Sequence, residues 1–289
     1  MRNIAILIGV LTFLVACHSR STQVVISGEN IIFQPKDREI VESILNRFTD
    51  ERKTETSELM IKVASSFLET PYVANTLETG ADEKMVLNLR ELDCTTYAEN
   101  VLALVLTIKS KEQDFGRFVN ELEKIRYRNG TRNGYLSRLH YFSDWIYDND
   151  KKKNVKDITG EIAHILYPNI VNFMSTHPAS YKVLYEYPGL VEELKRTEET
   201  ISERMAWYIP KNRIAEFEDQ FKNGDIVAIT THIDGLDVMH VGLVFWRDGR
   251  VRLIHASSKE MKVVITSETL EDYLRGSKSA TGIMIARPL

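Results

Sequence analysis

The C-terminal part of the chain constrains the fold most. From Gly224 onward, short β-branched and aromatic runs alternate with turns, as in "GDIVAITTH", "HVGLVFWRDGRVRLIHASS", "MKVVITS" and "TGIMIARPL". The segment "RDGR" predicts a hairpin, because Asp-Gly favours the tight turn that joins antiparallel strands. We therefore expect an antiparallel sheet in this part of the molecule.

The part of the chain before Gly224 has helical periodicity instead. The segments "DREIVESILNRF" and "TSELMIKVASSFLET" place apolar residues three and four positions apart, and Pro71 ends the second run. Further helical patterns continue from 112 to about 218 without a repeat or a clear linker. We interpret them as a helical insertion, at about 110–220, that packs on a single core. Helices followed by an antiparallel sheet indicate an α+β fold.

Composition excludes some classes of function. The chain has 289 residues, of which 43% are hydrophobic and 27% charged, as in ordinary globular proteins. Its formal charge is −4, and it has no basic arm. We therefore predict no nucleic-acid partner.

The N-terminus has the pattern of an export signal. In "MRNIAILIGVLTFLVAC", Arg2 precedes an apolar run that is too short to span a bilayer. The ending "LVAC" resembles the bacterial lipoprotein box, in which the cysteine is lipidated and becomes the mature N-terminus. The resemblance implies a lipoprotein signal peptide over 1–17 and lipidation of Cys17. The alternative is a plain secretory signal with an incidental cysteine.

This interpretation divides the chain into three parts. After the signal peptide, residues 18–36 are expected to be a tether, and residues 37–289 a single catalytic domain. The protein would be exported and held by lipid at the bacterial cell envelope, on the periplasmic side, since several acyl chains bind a membrane firmly.

Cys94 is then the only thiol left in a chain with two cysteines. It begins the apolar helix in "ELDCTTYAENVLAL", either with Asp93 as the N-cap or just outside a capping box formed by Thr96 and Glu99. Both arrangements place the sulfur near the positive end of the helix dipole, which favours a thiolate. The exposed N–H groups there could also hold an oxyanion. The alternative is a buried, inert cysteine.

Two histidines are placed to assist such a thiol. His240 and His255 lie on strands joined by the Asp-Gly turn, so pairing of these strands would bring them side by side. His240 could move the proton while His255 orients its ring. Each histidine alone is more often structural, but the pair together with Cys94 favours catalysis.

A zinc site is the alternative for the same loop. His232, Asp234, Asp237 and His240 are possible zinc ligands, but their spacing matches no zinc motif. We therefore predict no metal and no cofactor.

Several segments resemble the NlpC-type cell-wall cysteine hydrolases, which have a circularly permuted papain-like fold. They are "DCTTYAENVLAL", "GDIVAI", "MHVGLVF" and "LIHASS", with "TPYVANTLE" similar to the family's Pro-Tyr motif. The resemblance runs from about residue 59 to the C-terminus, interrupted by the helical insertion. It implies that Cys94 is the nucleophile, His240 the base and His255 the orienting residue, with Tyr72 beside the thiolate.

Within that superfamily, "LRELDCTTYAENVLAL" and "NGYLSRLHYFSDWI" resemble the N-acetylmuramoyl-L-alanine amidase-like branch, formerly a domain of unknown function. The common pattern Asp-Cys-Ser-Gly is replaced here by Asp-Cys-Thr-Thr, which departs from enzymes that cut after D-glutamate. The second motif offers Arg138, His140 and Tyr141 as substrate contacts, although an amphipathic helix would have the same pattern. Asp237 is a further candidate for substrate binding.

The resemblance implies a cysteine amidase that cleaves between muramic acid and L-alanine in peptidoglycan or its fragments. Its partners would be a muropeptide substrate and, through the lipid anchor, a membrane. The alternatives are an endopeptidase that cuts within the stem peptide and a non-catalytic lipoprotein that binds muropeptides.

Overall fold

The computed structural model describes residues 23–26, 29–80, 82–168 and 170–289. The expected signal peptide and Cys17 lie outside these residues. Within the described part, no helix combines the length and the apolar character needed to cross a membrane.

The helices of the described residues are α1 Pro35–Arg47, α2 Thr56–Ser65, α3 Cys94–Lys109, α4 Phe115–Arg126, α5 Phe142–Lys151, α6 Thr159–Ile162, α7 Phe173–Thr176, α8 Lys182–Glu186, α9 Leu190–Ser202 and α10 Leu270–Gly276. The strands are β1 Gln23–Ile26, β2 Glu29–Ile32, β3 Met85–Val86, β4 Val155–Asp157, β5 Leu166–Tyr167, β6 Ala206–Trp207, β7 Ile209–Pro210, β8 Ile226–Thr231, β9 Val238–Arg247, β10 Arg250–Ser257, β11 Lys262–Ile265 and β12 Ala280–Pro288.

The predicted C-terminal antiparallel sheet is present. Its strand order is β11-β10-β9-β8-β12-β4, and β7 also pairs with β12. The turn between β9 and β10 has positive φ angles at Asp248 (53°) and Gly249 (71°), as a tight Asp-Gly turn requires. The α+β layout is therefore confirmed, while the circularly permuted papain-like order stays a prediction.

The helix that follows Cys94 lies in the centre of the molecule. One face of the sheet, with Val241, Leu243 and Ile254, belongs to the same hydrophobic cluster as α3. The other face packs against α10 through Leu253 and neighbouring apolar residues. Helix α3 is thus held between the sheet and the flanking helices α2 and α4.

The insertion packs on the same core, as expected, but it is not purely helical. Its strand β4 pairs with β12 and forms an edge of the main sheet. Arg126, at the end of α4, is buried and places its Nε 2.7 Å from Glu99 Oε2 on α3. The insertion therefore packs together with α3 and the main sheet.

The predicted tether over 18–36 is wrong at its C-terminal end. Strand β2 pairs with β1 and, in parallel, with β3. Ile31 and Phe33 are buried, and the Phe33 ring lies 5.2 Å from the Phe115 ring. Short apolar runs of this kind join the core whenever the fold offers a groove, which the local polarity of the segment did not reveal.

Candidate active site

Helix α3 begins at Cys94 and is capped by Asp93. The Thr96 N–H donates to Asp93 Oδ1 at 2.7 Å, and the Asp93 N–H donates to Thr96 Oγ1 at 2.9 Å. The alternative box with Glu99 does not form, because that carboxylate pairs with Arg126. The reciprocal cap therefore places Cys94 in the first turn of the helix, with the exposed helix start around it.

The sulfur of Cys94 lies against strand β9. It is close to the backbone N–H of Val241, the residue that follows His240, and to Thr95, and both neighbours lower the pKa of the thiol. The pairing of β9 with β10 extends only to Leu243 and Ile254. Val241 lies two residues beyond that pair, where the two strands no longer pair with each other.

The thiol of Cys94 is neutral in this environment. Burial raises the pKa of Cys94 to about 11, and the Asp93 carboxylate adds to the increase. The hydrogen bonds from Val241 and Thr95 oppose the shift without cancelling it. The prediction of a thiolate stabilised by the helix start was therefore wrong for the resting site, because desolvation of the charged form outweighs the N–H groups.

The two histidines are neighbours, as the hairpin predicted. Continued by one residue, the β9–β10 register brings His255 next to Gly242, where a Cβ would lie 3.1 Å from His255 Cβ, so His240 lies diagonally across from His255 on the same face. His240 Nε2 is 2.6 Å from His255 Nδ1, and the two rings are nearly perpendicular, at 86°. This hydrogen bond leaves Nδ1 of His240 as the ring nitrogen for a further partner.

Both imidazoles are neutral at neutral pH. Burial lowers the pKa of His240 to about 4. Burial and the neighbouring His240 lower the pKa of His255 to about 3. A neutral His240 can accept a proton, so the pair is in the state that a general base requires.

Tyr72 lies close to Cys94, in agreement with its expected place. Its N–H donates to the Met261 carbonyl at 2.9 Å, and its backbone pairs with Leu92, two residues before Cys94. Burial raises the pKa of Tyr72 to about 12, with smaller contributions from Cys94 and Asp93. The phenol is therefore protonated and remains a possible hydrogen-bond donor.

Tyr273 also belongs to the site, and it was missed in the sequence. Its ring centroid lies 5.4 Å from that of His255, edge to face at 76°, and 6.5 Å from that of His240. The Cys94 sulfur contributes to a raised pKa of the Tyr273 phenol, after burial. Tyr273 lies on the short helix α10, whose sequence "LEDYLRG" carries no motif, so only tertiary contacts identify it.

Arg138 and His140 are engaged within the protein. Arg138 pairs with Glu78 at 2.9 Å and with Glu83 at 3.2 Å and is almost fully buried. The His140 Nε2 donates to the Tyr135 carbonyl at 2.9 Å. Burial, followed by the Arg138 charge, lowers the pKa of His140 to about 3. These contacts indicate structural roles and do not support the predicted substrate contacts.

Tyr141 has a similar internal role. It is buried, its hydroxyl donates to Glu198 at 2.6 Å, and it accepts from the Met174 N–H at 2.8 Å. No hydroxyl is left at the surface for a substrate. The prediction was wrong because the motif pattern does not show that α7 and α9 cover this side chain.

Asp237 is a helix cap and does not face a cleft. It is buried, and its carboxylate accepts from the Ser143 N–H at the start of α5, at 2.7 Å, and from the Val238 N–H, at 2.7 Å. Burial raises the pKa of its carboxyl group. Its predicted role in substrate binding is therefore replaced by a role in joining the insertion to the β8–β9 loop.

The zinc alternative has no support in the described part of the chain. Among those residues, no three His, Cys, Asp or Glu side chains are grouped so as to hold a metal ion. One of the four possible ligands, Asp237, is committed to the cap of α5.

Comparisons with known proteins agree on the fold, and both a family model and a solved structure carry the name of an amidase. A family model described as AmiA-like, N-acetylmuramoyl-L-alanine amidase-like, matches residues 62–283. An N-acetylmuramoyl-L-alanine amidase from Bacteroides uniformis is 39% identical, with a TM-score of 0.78 over 81% of this chain and 98% of that chain. A Bacteroides fragilis protein, provisionally described as a xylanase, is also 39% identical, with a TM-score of 0.74 over 78% of this chain and 99% of that chain.

A third solved structure shows the fold alone. It is a Legionella pneumophila protein at 23% identity, with a TM-score of 0.64 over 87% of this chain and 95% of that chain. No curated protein matches the chain with significance.

Proposed function

Because the chain belongs to the N-acetylmuramoyl-L-alanine amidase-like family, we propose that it is a cysteine amidase that hydrolyses the bond between N-acetylmuramic acid and L-alanine. The substrate would be peptidoglycan or its released fragments. One observation supports the cysteine mechanism: the Val241 N–H lies close enough to the Cys94 sulfur to lower its pKa, and Val241 follows His240, whose ring is bound to His255.

The first step is attack by the sulfur, coupled to loss of its proton. Because the thiol is neutral, His240 takes the proton as the carbon–sulfur bond forms. The 2.6 Å contact supports a tautomer in which the His240 Nε2–H donates to His255 Nδ1. Nδ1 of His240 then carries the lone pair, and His255 holds the ring in that tautomer.

The oxyanion of the tetrahedral intermediate needs a free N–H group. In the first turn of α3, the Thr96 N–H is bonded to the Asp93 carboxylate and the Tyr97 N–H to the Asp93 carbonyl. The N–H of Cys94 has no such partner among the described residues. We assign it to the oxyanion, where the helix start adds a favourable field.

The remaining steps use the same groups. Protonated His240 gives its proton to the departing alanine nitrogen, the C–N bond breaks, and a muramoyl thioester remains on Cys94. His240 then takes a proton from water as the water oxygen attacks the thioester. The C–S bond breaks to release the muramic acid carboxyl group, and His240 returns its proton to the departing sulfur. The neutral form of His240 is thus restored at the end of each cycle.

The name of the Bacteroides fragilis relative raises glycoside hydrolysis as a second candidate. Glycoside hydrolases usually need two carboxylic acids that flank the scissile bond. The described site instead brings together a thiol and two imidazoles. This chemistry favours acyl transfer over cleavage of a glycan.

Replacement of the nucleophile tests the proposal. We expect Cys94→Ala to stop release of the peptide from N-acetylmuramoyl peptides, followed by mass spectrometry, while the melting temperature stays close to that of the unaltered protein. Unchanged peptide release by Cys94→Ala would contradict the mechanism. Products cut within the peptide by the unaltered protein would instead support an endopeptidase, and binding without any product would support a muropeptide-binding lipoprotein.

We also propose that Cys17 carries a lipid that holds the protein at the cell envelope, on the evidence of the "LVAC" segment. Retention of the protein in the membrane fraction, and its loss on Cys17→Ser, tests the anchor independently of catalysis.

A further inference from the structure

Two cavities adjoin the histidine pair. A cavity of about 310 Å³ is lined by His240, and another of about 620 Å³ is lined by His255. Lys259, Glu268 and Tyr273 line both cavities, so the two are neighbours with a common wall. Both cavities therefore reach the site from the side of the histidines, and Cys94 is not among the residues that line either of them.

Lys259 differs from the other lysine of these cavities. Lys262 lines the larger cavity, but its Nζ lies 2.6 Å from a Glu69 carboxylate oxygen, so its charge is already paired. Lys259 is exposed and forms no ion pair with any residue in the described ranges. Its ammonium group is therefore the unpaired cation of a lining that also holds the carboxylates of Glu260 and Glu268, which form no ion pair in the described ranges either.

The turn that carries Lys259 is anchored beside the proposed nucleophile. It joins β10 to β11, and the Glu260 N–H donates to Ser257 Oγ at 3.1 Å. The Met261 carbonyl accepts from the N–H of Tyr72, the residue whose phenol pKa Cys94 helps to raise, after burial. This anchoring fixes the backbone of Lys259 relative to the site, and its side chain is exposed.

We propose that Lys259 binds a carboxylate of the peptide arm of the substrate, and that this arm occupies the larger cavity. The inference rests on the proposed amidase function and deepens it, because it defines the substrate as a muramoyl peptide with a free acid on the peptide. An ammonium group recognises such an acid as a point charge, without the fixed geometry that a guanidinium imposes.

A matched pair of substrates isolates this interaction. N-acetylmuramoyl-L-alanyl-D-glutamic acid has two free carboxylates, and its diamide has the same shape without them. We expect the unaltered protein to prefer the acid about fivefold in kcat/KM, through KM, which corresponds to one exposed ion pair. Lys259→Ala should abolish the preference, because it weakens the binding of the acid and not that of the diamide. Lys259→Arg should retain most of the preference. Lys278→Ala removes an exposed lysine that lines neither cavity and should leave the preference unchanged.

The outcomes separate this inference from the proposed function. Three results would overturn the carboxylate site while amidase activity stands. They are a preference for the acid that persists in Lys259→Ala, an equal loss of kcat/KM on both substrates, and no preference in the unaltered protein. If neither peptide is hydrolysed, the amidase proposal fails, and calorimetric binding of both peptides with and without Lys259→Ala still decides the site. Equal binding of acid and diamide by the unaltered protein would then reject it.

Discussion

Cys94 shows how the surroundings of one side chain decide its chemistry. The helix start favours a thiolate, but burial and the Asp93 carboxylate raise the pKa of the thiol to about 11. Asp93 therefore has two effects, because the carboxylate that caps α3 also disfavours ionisation of the neighbouring sulfur. In the proposed mechanism, a neutral thiol makes the attack depend on a neutral His240 that accepts its proton.

Asp93→Asn should separate these two effects. Asparagine keeps the N-cap but removes the negative charge, so the pKa of Cys94 should fall. A thiol ionises as the pH rises above its pKa. In Asp93→Asn the alkylation rate should therefore rise at a lower pH than in the protein with Asp93, and more thiolate should be present at pH 8. The measurement is the pH dependence of iodoacetamide labelling in a Cys17→Ser background.

A cap on another helix provides the control for this experiment. Asp114 caps α4 in the same manner, accepting from the Arg117 N–H at 2.8 Å, and Asp114→Asn should leave the midpoint unchanged. An unchanged or higher midpoint in Asp93→Asn would show that its carboxylate does not raise the pKa of Cys94.

At the scale of secondary-structure elements, the parting of β9 and β10 creates the site. The strands pair as far as Leu243 and Ile254, and beyond that pair one strand offers His240 and the other His255. Gly242 lies at this point, and a Cβ there would be 3.1 Å from His255 Cβ and 3.2 Å from Leu253 Cδ2. The absence of a side chain allows the two strands to approach while the imidazoles remain in contact.

Gly242→Ala should therefore displace His255 and weaken its hydrogen bond to His240. We expect kcat to fall roughly tenfold or more, since small misplacements in catalytic groups are costly, and the fold to lose about 1–3 kcal/mol from overpacking. Steady-state kinetics with urea unfolding measures both. Gly189→Ala, where a Cβ would meet no atom within 4 Å, is the matched control and should change neither. Unaltered kcat in Gly242→Ala would mean that His255 is not held by this contact.

For the whole molecule, buried polar contacts join the insertion to the catalytic core. Arg126 pairs with Glu99 on α3 and donates to the Val86 carbonyl at 2.7 Å. Asp237 caps α5 from the β8–β9 loop, and β4 pairs with β12. These links predict that the insertion and the sheet unfold together.

Arg126→Met should leave the Glu99 carboxylate buried without its partner. Loss of one member of a buried pair costs about 3–5 kcal/mol, whereas replacing both members with apolar residues is often neutral. We expect urea unfolding to show this full loss of unfolding free energy in Arg126→Met. The double variant Glu99→Leu/Arg126→Leu should recover a substantial part of it. Lys182→Ala, which removes an exposed pair with Glu186, should change the unfolding free energy by less than about 1 kcal/mol. A loss in Arg126→Met no larger than in this control would show that the buried link does not stabilise the fold.

The sequence by itself determined the features that depend on neighbours along the chain. The Asp93 cap, the start of α3 at Cys94 and the Asp248-Gly249 turn follow from local backbone preferences. The turn also set the contact of His240 with His255, because a tight hairpin restricts the register of its strands.

Only the tertiary structure decided what depends on burial and on contacts between distant segments. Packing makes the thiol of Cys94 neutral and provides the internal partners of Arg138 and Tyr141. It also brings Tyr273 beside His255. The physical reason is that desolvation and hydrogen-bond partners are set by residues far away in the chain, whereas periodicity and turn signals report only on the nearest few.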